Sequence, residues 1–390
     1  MKNVRERETA VTFLQQLIQA DTCNPPGNEH ALAKLIGDFL QEYGLPCSIH
    51  GIEQGRSNLE FSLKGGAGRK LMFCGHLDTV SAWTPDAGSY PPHGAVIADG
   101  RMYGRGTSDM KSGLAAMLLA AVSLHQEGIA LGGELTVLAT AGEEVDSCGA
   151  WHYAEHTSLR DLDAIVIGEP TASRVAVGHK GALCLRITLY GRSAHGSMPQ
   201  LGVNAVEGMM ELISLLHSHA LEWQAHDPVL GSSSLSVNRM EGGVQTNVIP
   251  DRCVIDVDIR TVPPLRHAAL LDEISARLEA IRRRHPDYRY QVEQLLDRSV
   301  VYTDPGHELI RTALELAGAD GGASVQGVSY YTDGSVLHDE GRLPVLIYGP
   351  GEPGQAHQPD EWVDIEAYLQ SIDFYRELAL RYLGTAAVQE

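Results

Sequence analysis

The chain has 390 residues, of which 43% are hydrophobic and 21% charged, enough to bury a full core and long enough for two domains. That excludes a disordered segment or a disulfide-stapled mini-protein. Acidic residues outnumber basic ones 50 to 30, a formal net charge of -20, so nucleic-acid backbones and anionic bilayers are repelled.

The N-terminal stretch alternates charges and has no apolar signal core. The longest apolar run, Gly113 to Leu124, falls short of the roughly 20 residues a bilayer span needs. A cytoplasmic protein is expected. Six scattered cysteines without a CxxC pair read as reduced, buried thiols.

In chain order, Ala10, Val11, Leu14, Leu17 and Ile18 mark one apolar helical face. A second face, Ala31 to Leu40, stops at Gly44. Apolar runs at 70–75, 134–141 and 163–168 each end in a glycine-containing polar turn, and a helical stretch at 113–128 lies between the first two. This alternation predicts an α/β domain with a largely buried sheet. From Leu183 the pattern alternates strictly to Tyr190. A helix at 204–219, strands at 234–240 and 252–259, a helix from Arg266 to His285 and a strand at 288–292 follow. The order βαββαβ is the split-βαβ sandwich. It reads as an insertion, because helices at 307–317 and 364–382 and the apolar run 343–348 resume the first pattern. The expected division is 1–177 and 295–390 for the first domain and 178–294 for the inserted one.

The polar side chains that could act sit where apolar runs end, the place open α/β sheets put their ligands. His76 and Asp78 follow the first run and Asp109 precedes a helix. Glu143 and Glu144 follow the second run, Glu169 follows the third, and His357 lies far downstream. Taken singly, each has an ordinary structural explanation, such as an N-cap for Asp109 or a solvated turn for Glu143-Glu144. Together at one sheet edge they would repel one another without cations. Mixed nitrogen and oxygen donors suit zinc, manganese or cobalt. Asp78, Asp109, Glu143, Glu144 and Glu169 carry about −5, which two divalent ions nearly balance. Competing motifs fail: Gly349-Pro-Gly-Glu-Pro-Gly354 fits GxGxxG, but its prolines preclude the helix a pyrophosphate needs. The sequence holds no Walker A, HExxH or GxSxG motif.

His76-Leu-Asp78-Thr-Val, Gly104-Arg-Gly-Thr-Ser-Asp109-Met-Lys-Ser-Gly113, Gly142-Glu143-Glu144, Gly168-Glu169-Pro-Thr171 and His357, in this order and around the inserted domain, resemble the M20 metallopeptidase family. Its members include acetylornithine deacetylase, succinyl-diaminopimelate desuccinylase, aminoacylase and glutamate carboxypeptidase. The resemblance spans essentially the whole chain. It implies a zinc-hydrolase catalytic domain with a mixed sheet and an inserted βαββαβ, ferredoxin-like domain serving as lid and dimerisation module.

The resemblance further implies two zinc ions, with cobalt or manganese as alternatives. Asp109 bridges them, His76 and Glu169 complete one site, and Glu144 and His357 complete the other. Asp78 bonds His76 and fixes its tautomer, Glu143 is the general base, and the Asp109–Met110 peptide is cis. His195 reaches a partner subunit's active site, and Asn247 and Arg260 hold the substrate carboxylate. Lys180 and Thr332 lie in segments that contact substrate in relatives.

Tyr330-Tyr331 and His179 depart from a desuccinylase pattern, and Pro91-Pro92-His93 and Ser112 from the commonest family sequence. The expected activity is removal of an acyl group from an N-acylated amino acid or related amine by a homodimer. A dipeptidase or carboxypeptidase of the same family, or a non-catalytic metal-binding dimer, is the alternative. The retained Glu143 and His195 argue against the last.

Overall fold

The computed structural model describes residues 2–84, 86–318, 324–338 and 341–385. The chain forms two compact units. The first comprises residues 1–178, 301–328 and 332–390, and the second comprises 179–300 with 329–331.

The first unit is built on a mixed sheet. Its order runs Ser48–Glu53, Arg56–Leu63, Glu134–Thr140, Lys70–His76, Ala164–Ile167, Val345–Ile347, Ala176–His179 and Val301–Tyr302, with Gln326–Val328 paired to Ala176–His179. The four strands from Glu134–Thr140 to Val345–Ile347 are mutually parallel. Nearly every residue in them is buried. Sheets covered on both faces call for such unbroken apolar runs.

Helix Ser112–Gln126 is apolar on every side and buried from Ser112 to Leu124. It packs against Lys70–His76 and the C-terminal helix Ile365–Leu383. Helix Arg7–Gln19 buries Ala10, Phe13, Leu14, Leu17 and Ile18, the spacing of one helical face.

Two small elements escape a reading based on apolar runs. The hairpin strand Ser48–Glu53 is almost entirely exposed. The short strands Val96–Ala98, Arg101–Tyr103 and Trp362–Asp364 form a separate three-stranded sheet.

The second unit is a four-stranded antiparallel sheet, ordered Ser234–Gly242, Arg252–Thr261, Gly181–Tyr190 and Arg289–Arg298. Helices Ala205–Glu222 and His267–Arg284 bury Leu212, Leu216, Ile274 and Leu278 in a common core with Leu185, Ile187, Ile255 and Val257. Chain order and sheet order together make it the split-βαβ arrangement.

Close backbone approach explains three glycines around the first unit's sheet edge. A Cβ on Gly113 would stand 1.9 Å from the Gly168 carbonyl oxygen, and one on Gly349 would stand 2.4 Å from the same atom. A Cβ on Gly351 would stand 2.3 Å from the Ser108 carbonyl oxygen. The GxGxxG-like segment is thus a packing loop laid over the ends of two other segments. Gly113→Ala should lower stability by about 1–3 kcal/mol, the usual cost of overpacking. Gly354→Ala, with nothing within 4 Å of the new Cβ, should leave the thermal midpoint unchanged; differential scanning calorimetry of the two variants makes the comparison.

Candidate metal centre

Strand register brings the chemistry to one edge. His76 pairs with Thr140, and Cys74 pairs with Ile167. The residues that follow, Glu143-Glu144 and Glu169, therefore leave the sheet beside His76. Asp109 sits in the non-helical turn Thr107–Lys111 ahead of the buried helix, and the Asp109–Met110 peptide is cis. The packing of Gly113 on Gly168 draws this turn against the segment that carries Glu169 beyond strand Ala164–Ile167.

The side chains form two lobes that share Asp109. Nε2 of His76 lies 3.1 Å from Oδ1 of Asp109 and 3.6 Å from Oε1 of Glu169. Nε2 of His357 lies 3.4 Å from Oδ2 of Asp109 and 3.0 Å from Oε2 of Glu144. The ligand atoms of His76, Asp109 and Glu144 fall within 4.8 Å of one another, as do those of His76, Glu143 and Glu169.

Asp78 bonds His76 as expected, through its main-chain oxygen, and its carboxylate takes on a second task. Nδ1 of His76 bonds the Asp78 main-chain oxygen at 2.9 Å, while the carboxylate stands off at 3.6 Å. That carboxylate instead accepts the N–H groups of Gly142, Glu143 and Glu144 and the amide of Asn24. Three converging backbone donors are better partners for a buried carboxylate than one imidazole edge. Asp78 therefore fixes the turn that carries Glu143 and Glu144.

Electrostatics at the edge follow from burial and crowding. Burial, then Glu169, pushes the Glu143 carboxyl well above its usual range. Burial, then Asp109, does the same to Glu169 and raises Glu144. Burial alone would lower the His76 imidazole, but its bond to Asp109 and the charges of Glu169 and Glu143 drive it well up. Bonds to Asp109 and Glu144 raise His357 to about 10. Burial opposes ionisation of Asp109, yet His357 and His76 hold it below the ordinary range. The cluster thus gathers protons where positive charge is needed. Among the described residues one oxygen of Glu143 is buried without a hydrogen-bond partner. Two imidazoles, three carboxylates and an orphaned oxygen fit a pair of divalent cations.

A buried pair that sequence patterns did not single out supports this arrangement. The Glu361 carboxylate accepts the N–H groups of Gly106, Ser108 and Asp109 at 3.1, 2.8 and 3.0 Å, and Arg105 at 2.6 Å. Burial pushes the Glu361 carboxyl up to about 7 against the pull of Arg105. Arg105 also bonds the carbonyls of His357 and Gln358. One ion pair therefore ties the Asp109 turn to the His357 loop. Its only sequence signal is that both residues lie inside the motifs that carry Asp109 and His357.

Residues 72–381 match peptidase family M20/M25/M40. The chain belongs to this family. It is 28% identical to a probable succinyl-diaminopimelate desuccinylase of Staphylococcus epidermidis, with 97% of this chain and 99% of that protein covered. It is 33% identical to acetylornithine deacetylase of Proteus mirabilis, with 89% of each covered. A solved structure from Bacillus subtilis, YXEP, described as a dinuclear metal-binding peptidase of the M20 family, has the same fold. It superposes with a TM-score of 0.72 at 17% identity over 97% of this chain and 99% of that one. The chain is a hydrolase of amide bonds.

The remaining expected site residues have these local settings. Thr332, in the first unit, is fully buried, and its hydroxyl accepts the Gly334 N–H at 3.1 Å. That bond lies at the start of the short helical turn Gly334–Leu337. In the second unit, exposed His195 bonds Ser197 at 2.8 Å, and Gly196 bonds the Asn247 carbonyl, so His195 and Asn247 lie on adjoining segments. Both Nε and one terminal nitrogen of Arg260 are engaged by Asp258, at 2.8 and 3.0 Å. Lys180 bonds the Ser232 carbonyl at 2.5 Å.

In metal-free protein His357 keeps its proton until about 10, so a cation must displace it. Zinc or cobalt binding should therefore release protons and tighten as pH rises from ~6 to ~9. Isothermal titration in buffers of different ionisation enthalpy reads both effects; pH-independent binding would remove the imidazole ligands.

Proposed function

We propose that this chain is a two-metal amidohydrolase that removes the acyl group from an N-acyl amino acid or related amine, in the manner of acetylornithine deacetylase. The observation that carries this is Asp109, whose two oxygens face the two imidazoles, with a Glu143 carboxylate oxygen beside them that has no hydrogen-bond partner among the described residues. Likeness to the Proteus mirabilis deacetylase supports the acyl-amine substrate class. His76 and Glu169 would hold one cation, Glu144 and His357 the other, and Asp109 both. Zinc suits these nitrogen and oxygen donors best, ahead of cobalt or manganese. Two such ions polarise a scissile carbonyl and make water nucleophilic near neutral pH.

Glu143 takes the proton of the attacking water as its oxygen bonds to the carbonyl carbon, then delivers that proton to the nitrogen as the C–N bond breaks. Its raised proton affinity suits both tasks. Asp78 orients Glu143 by holding its backbone, and the Arg105–Glu361 pair does the same for Asp109. His195 donates to the developing oxyanion, while Asn247 and the Nη1 nitrogen that Asp258 leaves open on Arg260 take the substrate carboxylate. Lys180 and Thr332 complete the substrate-contacting segments.

The protein acts as a homodimer through its second unit and works in the cytoplasm, where six free thiols persist. Exposed apolar side chains concentrate in that unit, at Met198, Leu201, Met210, Leu221, Met240, Val244 and Leu295, as an interface requires. Among the described residues no helix is long and apolar enough to cross a membrane.

Glu143→Gln should lower kcat by about 10²–10⁴ with little change in KM or bound metal. Unchanged turnover would remove Glu143 as the base. The assay pairs zinc- and cobalt-loaded protein with N-acetylornithine, N-succinyl-diaminopimelate, other N-acyl amines and dipeptides. Chelator-sensitive cleavage of an acyl-amine is expected; cleavage of dipeptides alone would make the chain a dipeptidase. His195→Ala should cut kcat by about 10²–10³, and light scattering should give the mass of a dimer.

A further inference from the structure

Apart from the dinuclear centre, one cluster in the first unit gathers three different metal-ligand types. Asp21 and Cys23 lie in the turn after helix Arg7–Gln19, and His93 follows Pro91-Pro92. Nε2 of His93 lies 3.9 Å from Sγ of Cys23 and 3.6 Å from Oδ1 of Asp21. The three ligand atoms fall within 4.8 Å of one another. A tetrahedral ion with bonds of about 2.0–2.3 Å sets its ligands about 3.4–3.6 Å apart, so small side-chain shifts would close this set on a cation.

The surroundings favour such an ion. The Asp21 side chain is 65% exposed and that of His93 26%, which gives an ion a way in and leaves room for a solvent ligand. Among the described residues the polar partners of His93 Nε2 are Cys23 and Asp21, and Nδ1 is buried without a hydrogen-bond partner. The local charge is also suitable, because a thiolate and a carboxylate balance one divalent ion. The buried Lys111 ammonium bonds the Leu17 and Ala20 carbonyls rather than the three ligand side chains, while its charge acts on Asp21 and Cys23 from nearby. Thr79, next in sequence to Asp78, donates its hydroxyl to Cys23 Sγ.

We propose that Asp21, Cys23 and His93 form a further cation site for a borderline divalent ion of the zinc, cobalt or cadmium type. The thiolate excludes magnesium and calcium, which take oxygen ligands. Imidazole and carboxylate complete a zinc-like donor set, with solvent in the fourth position.

Cobalt titration of the full-length, metal-free, reduced chain tests this, because thiolate-to-cobalt charge transfer absorbs in the near ultraviolet and the dinuclear centre contains no sulfur. One equivalent of cobalt beyond those held by the dinuclear centre should develop this absorption. The band should vanish in Cys23→Ser, weaken in His93→Phe and Asp21→Asn, and persist in Cys148→Ser. Absence of the band in the unaltered chain, or its survival in Cys23→Ser, would overturn the site. If Cys23→Ser does not fold, His93→Phe decides, and an unchanged band there would equally overturn the proposal. The band is read whether or not the other centre binds metal.

Discussion

Negative charge packed into one sheet edge, where water is scarce, is the constraint on which the first unit depends. A buried carboxylate is tolerated only when donors or cations surround it. The edge contains two kinds. Asp78 and Glu361 each accept several N–H groups and so are satisfied by the protein itself. Asp109, Glu144 and Glu169 face one another across two imidazoles. The first kind holds the turns in place; the second kind is left for a ligand that brings positive charge.

Backbone packing makes this possible. Gly113, Gly349 and Gly351 lie so close to neighbouring main chain that a methyl group has no room. Their contact sets the Asp109 turn against the segment that bears Glu169. The Arg105–Glu361 pair then joins that turn to the loop of His357, a residue with a positive φ of 65°. Local strain at a ligand position is affordable where several bonds over-determine the loop.

The second unit follows a different logic. Its sheet buries one face under two helices around Leu185, Ile187, Leu212 and Ile274, and strand Ser234–Gly242 is mostly exposed. Its polar residues are tied to one another locally, Arg260 to Asp258 and His195 to Ser197. A unit with a complete core of its own tolerates polar side chains on its outer faces without compromising its fold.

Much of this was legible in the chain itself. Unbroken apolar runs specified the parallel strands, strict alternation specified Gly181–Tyr190, and residues at the ends of those runs marked His76, Glu143, Glu144 and Glu169. These signals are local, because burial on one or two faces writes its period directly into adjacent residues. What sequence left open depended on partners far apart. Asp78 meets the Glu143 turn across 64–66 residues, and Glu361 meets the Asp109 turn across 252–255. The exposed hairpin at Ser48–Glu53 had no apolar run to announce it. Composition and order determined which residues could form a charged, metal-type edge. Only the tertiary structure decided which carboxylates are consumed by backbone donors and which remain open, since a hydrogen bond leaves no periodic mark on the sequence.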